Sequence, residues 1–132
     1  MKRETVSATS DYTRQDAVED GFLIDISARY PKEAAVLSCK ELYVTDRVWK
    51  IVEQSADNPN TGSSREGILW DIMWVGLCSL NQEIDTFNVG INGIEGQEVF
   101  PFRFRLIWDE NNNPGGIIML PAEDTHDRPI LF

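Results

Sequence analysis

The chain's one histidine, His126, stands in Asp124-Thr125-His126-Asp127, an imidazole between carboxylates. Those donors suit a divalent metal, but protein metal sites need three or four ligands held on rigid elements. This run falls in a polar tail, so the trio reads as solvated side chains and no metal is expected. A thiol nucleophile would have to be Cys39 or Cys78 beside an imidazole, and both cysteines fall in or near packed helical segments. The loop Asn111-Asn112-Asn113-Pro114-Gly115-Gly116 has glycines but lacks the Lys-Ser/Thr of a phosphate loop. Asp16, Glu19 and Asp20 come together through three- and four-residue spacings on one short helix, where they could act as acid and base or bind a cation. Nothing in the sequence encloses them, so a solvated helix face is the simpler reading. No catalytic residue and no cofactor follow from these patterns.

Asp71 poses a different problem. A lone carboxylate on an otherwise apolar helix must reach water or a partner. Backbone amides or an arginine such as Arg14 would make it a structural polar anchor, and a polar anchor in a binding pocket is the functional alternative. Among Trp49, Trp70, Trp74 and Trp108, the middle two are expected in the core. Trp108, at the end of a strand beside Asp109-Glu110, is expected to be exposed. Arg103 and Arg105 point away from the phenylalanine face of that strand.

The element that would hold these groups in place is the stretch Ser63–Leu80. Ser63 and Glu66 have capping-box spacing and mark a helix start. Ile68, Ile72 and Val75 share one face, Leu69, Met73 and Leu80 a second, and Trp70, Trp74 and Leu77 a third. A helix apolar nearly all round must be covered on several sides. Before it, Thr13 caps a short helix ended by Gly21, Phe22–Ser27 is extended, and Pro31 opens a helical stretch through about Ser38. Thr45 then caps a helix over 46–54. Ala56–Gly62 is a run of turn formers. After Asn81 the apolar period changes from 3.6 to 2. Phe87, Val89 and Ile91 alternate with polar residues, as do Phe100, Phe102, Phe104, Leu106 and Trp108, with an Asn92-Gly93 connection between. Pro101 requires an edge or an unpaired end, and Ile117–Leu120 is a third strand. The predicted fold class is α+β: a three-stranded antiparallel meander packed on a central buried helix, with additional N-terminal helices. Residues 1–11 read as a flexible arm, 12–124 as one α+β domain and 125–132 as a tail.

Composition narrows the functions. The 132 residues carry a net charge of −10, and residues 63–97 hold one basic against five acidic side chains. Such a surface repels phosphate, which disfavours direct binding to nucleic acid or an anionic membrane. Two cysteines are too few for a disulfide framework. The N-terminus lacks the apolar core of a signal peptide, and the longest apolar region is too short to span a bilayer. A cytoplasmic location with reduced thiols is expected.

Three stretches together carry a resemblance. They are Tyr12-Thr13-Arg14 with Ala17, Asp20-Gly21, Leu23 and Asp25; Gly67–Trp74; and Ile118-Met119-Leu120-Pro121-Ala122-Glu123-Asp124. In this order and spacing the chain resembles a family of small bacterial domains of unknown function found on plasmids and prophages. It departs from that pattern by a longer insertion around Asp57–Ser64 and by the tail. The resemblance implies a mobile-element setting and supplies no catalytic residues. With the charge, it points to a non-enzymatic acidic protein-binding module, an inhibitor or accessory factor acting on a basic host protein such as a nucleic-acid-handling defence enzyme. Asp109, Glu110, Glu123, Asp124 and Asp127 would enter a basic groove on that partner, with Trp108 as apolar anchor. Two other classes stay open: a small hydrolase or ligand-binding domain using clustered carboxylates, and a structural homodimer formed through the central helix instead of a monomer.

Overall fold

The computed structural model describes residues 13–108 and 113–123, so the predicted arm and tail lie outside the described residues. Thr13 and Asp16 form a reciprocal capping box, each side chain accepting from the other's backbone N–H at 3.1 and 3.0 Å. Helix α1 (Arg14–Glu19) leads through Gly21, at φ +83°, into β1 (Leu23–Asp25). Asp25 caps α2 (Ile26–Arg29), and Pro31 opens α3 (Pro31–Ala34), followed by a 3-10 turn at Ala35–Leu37. Strand β2 (Glu41–Thr45) runs directly into α4 (Asp46–Ala56), because Thr45 ends the strand and caps the helix through Val48 N. Helix α5 is Arg65–Leu80. Its cap is Ser64, accepting from Gly67 N at 3.0 Å, one residue later than the Ser63 box predicts. Strands β3 (Thr86–Gly90), β4 (Val99–Trp108) and β5 (Pro114–Met119) and a 3-10 turn at Pro121–Glu123 complete the described fold.

The sheet corrects the predicted architecture. It is five-stranded and mixed, in the order β1-β2-β5-β4-β3, not a three-stranded meander. β1 is antiparallel to β2, β2 parallel to β5, and β5-β4-β3 mutually antiparallel. Strand β2 escapes a periodicity search for a physical reason. Leu42 and Val44 enter one core and Tyr43 the other, so a strand buried on both faces shows no apolar-polar alternation. Pro101 is tolerated because pairing of β4 with β5 begins only at Arg103, leaving the proline opposite Asn88 of β3 alone.

Helices α4 and α5 and the α2–α3 segment cover one face of the sheet. Leu69, Ile72, Met73, Phe87, Phe102, Phe104 and Ile118 meet there. Each such side chain contributes about 1.5–3 kcal/mol by leaving water. Gly76 lets α5 approach closely, since a Cβ there would lie 3.1 Å from the Phe87 ring. Helix α1 packs on the opposite face, where Ala17 joins Leu23, Tyr43, Ile107, Ile117 and Met119. None of the described helices is long and apolar enough to cross a membrane.

Candidate interaction face

Helix α5 is covered on fewer sides than its sequence predicts. Ile68, Leu69, Ile72, Met73 and Gly76 are buried, whereas Glu66, Gly67, Trp70, Asp71, Trp74 and Cys78 are exposed. Trp70 is 41% exposed and Trp74 46%, so neither occupies the core as predicted. The two indoles stand one turn apart in an edge-to-face pair, centroids 5.8 Å apart and planes at 66°. That spacing and tilt match the preferred aromatic geometry. Cys78, expected to behave as a buried apolar group, belongs to the same outward arc.

The sequence that follows Arg65 is rich in carboxylates. From Glu66 to Phe102 the chain contains no lysine, arginine or histidine, against six carboxylates. All six (Glu66, Asp71, Glu83, Asp85, Glu95 and Glu98) are exposed, and Asp85 pairs with Arg103 at 3.4 Å. Arg65, at the first position of α5, is held by Asp57 at 3.0 Å and Glu53 at 3.5 Å. Its hydrogen bond to Asp57 raises the guanidinium pKa further, fixing it as a partner of the α4–α5 connection.

A second aromatic pair serves as an internal comparison. Tyr30 and Trp49 have ring centroids 5.6 Å apart, and the Arg29 guanidinium lies over both, 5.9 Å from the tyrosine centroid and 5.1 Å from the tryptophan. These distances are within cation–π range. Trp49 is buried beneath that cover, whereas Trp70 and Trp74 face outward.

Of the other predicted site residues, Trp108 is 54% exposed, on the strand end paired to Pro114. Glu123 is 2% exposed and cannot enter a partner's groove. Its carboxylate instead accepts from Thr45 Oγ1 at 2.7 Å and Leu120 N at 2.9 Å, which closes the 3-10 turn onto the α4 cap. Asp109, Glu110, Asp124 and Asp127 lie outside the described residues, as does His126. The Asp71–Arg14 anchor does not form. Asp71 is in water on α5, and Arg14 sits across the sheet with its Nη1 3.5 Å from Glu41 Oε1. Tyr43 donates to the same Glu41 oxygen at 2.8 Å. Burial, then this hydrogen bond and the negative charge, push the Tyr43 phenol well above its ordinary range. Burial also raises the Cys39 thiol, the opposite of what an activated nucleophile requires.

A cleft of about 460 Å³ opens between the end of α4 and the β3–β4 hairpin. Its walls are tied by Ser55 Oγ donating to Asn92 O at 2.6 Å and Asn58 Nδ2 to Gly93 O at 3.1 Å. The carboxylates on it, Glu95 and Glu98, are both exposed, without the enclosure that tunes a catalytic acid. Asp16 of the α1 cluster is committed to the Thr13 cap. No family model matches this chain, and no curated protein or solved structure matches it.

The outward tryptophans have a legible signal in Asp71. A lone carboxylate must face water, and helix positions three, four and seven residues away share its side. On α5, Gly67, Trp74 and Cys78 are exposed with it and Trp70 borders the arc, whereas Ile68 and Val75, at the same spacings on the other flank, are buried and half-buried.

Proposed function

We propose that this chain is a non-enzymatic, acidic protein-binding module of a mobile genetic element, an inhibitor or accessory factor directed at a basic nucleic-acid-handling host protein. The observation that carries this reading is the Trp70–Trp74 pair, two indoles left about half exposed, with no cation over either ring among the described residues. Exposed aromatic clusters are characteristic of binding hot spots, where tryptophan is enriched. A net charge of −10 adds long-range attraction to a basic surface, which accelerates encounter and is weakened by salt. Trp108 with Asp109, Glu110, Asp124 and Asp127 forms the remainder of the proposed contact set, and Glu123 leaves it. The mobile-element setting rests on the sequence resemblance.

A homodimer through α5 is the weaker reading, because it would set Glu66 and Asp71 of one copy against those of the other. The test captures host proteins on the tagged full chain, then titrates the purified retained protein calorimetrically. The expected partner is basic, and its affinity falls at least tenfold between about 50 and about 300 mM salt. A partner of acidic pI, or an affinity indifferent to salt, overturns the proposal.

A further inference from the structure

We infer that the Trp70–Asp71–Trp74 face of α5 is a receptor for an arginine side chain presented by a protein partner. This rests on the proposed function and adds the chemistry of the contact. The molecule carries its own precedent. Tyr30 and Trp49, with centroids 5.6 Å apart, are covered by Arg29. Trp70 and Trp74 are spaced alike, at 5.8 Å, and among the described residues no cation covers them. Within α5 itself the one cation, Arg65, is engaged by Asp57 and Glu53. Asp71 lies between the two indoles in sequence, exposed on the same outward arc.

A guanidinium satisfies both features. Its plane stacks on an indole while its edge N–H groups donate to a carboxylate, a combination that an ammonium cannot reproduce. The indole face attracts the cation through its quadrupole, and the exposed Asp71 carboxylate favours its approach. A second copy of this chain would bring its own anionic face, and nucleic acid would bring phosphates. Neither complements this surface.

The test uses the intact chain and three capped helical peptides, identical except for two arginines, two lysines or two citrullines placed one turn apart. Citrulline keeps the planar shape and removes the charge. Indole N–H resonances of the four tryptophans are followed by NMR. The expected result is a shift of the Trp70 and Trp74 signals. The arginine peptide should bind about tenfold more tightly than the citrulline peptide and several-fold more tightly than the lysine one. Trp70→Gln and Trp74→Gln should each weaken binding about tenfold and Asp71→Asn several-fold, with circular dichroism verifying the fold.

Equal affinity for arginine and citrulline overturns the inference. So do Trp70 and Trp74 signals that move with protein concentration alone, the mark of a second copy. Cationic binding that perturbs only Trp108 also overturns it while leaving the proposed function in place. If no cationic peptide binds at low salt, both fall.

Discussion

Two carboxylates, Glu123 and Asp71, show how little a residue's type reveals about its surroundings. Glu123 lies in a polar run, yet is buried against Thr45 and Leu120 N. Asp71 lies in an apolar run, yet meets water. Removing the buried acceptor leaves a backbone donor unsatisfied, so Glu123→Ala should cost about 1–3 kcal/mol. Glu123→Gln, which keeps an acceptor, should cost less, and urea titrations distinguish the two. Tyr43 gives a pH-dependent case. Its neutral form is favoured in the folded state by burial and by Glu41, so its folded pKa lies above the unfolded one. The associated stability is complete below about pH 10 and is lost as pH rises through the higher folded value. Tyr43→Phe should lose about 1 kcal/mol at neutral pH and show a shallower alkaline decline in denaturant titrations. Neither environment was legible in sequence, because Thr45–Glu123 and Tyr43–Arg14 are set by tertiary contacts, although the Glu41–Tyr43 spacing is local.

Among elements, those with a local chemical signature could be read directly. Thr13 and Thr45 cap the helices they were expected to cap, and the phenylalanine alternation from Phe100 to Phe104 faces the core. What failed was inference of burial from apolarity alone. Helix α5 is apolar on nearly every side, so its sequence shows no contrast between the face packed on the sheet and the face left in water. Strand β2 failed for the converse reason, being covered on both faces. The assignment of faces on α5 can be checked by stability. Trp70→Gln and Trp74→Gln should each cost about 1 kcal/mol, chiefly the lost aromatic pair, whereas Met73→Ala should cost about 2–5 kcal/mol. Close packing sets a second element-scale expectation. A Cβ at Gly116 would collide with the Phe104 ring and lie 3.2 Å from Leu42, so Gly116→Ala should cost about 1–3 kcal/mol by overpacking. Thermal unfolding monitors both.

At the scale of the whole molecule, the core turns most of its large apolar groups inward and leaves an anionic exterior interrupted by aromatic side chains. The charge balance was legible from composition. The position of the apolar contact was not, because it depends on which side of α5 the sheet covers. That uncovered side of α5 is the proposed binding surface. The most direct test is the affinity of the purified partner for the native chain and for the Trp70→Gln/Trp74→Gln double variant, compared at matched thermal stability. Hot-spot behaviour predicts that the double variant loses at least about 2 kcal/mol of binding free energy. An unchanged affinity would contradict the claim and move the contact elsewhere on the molecule.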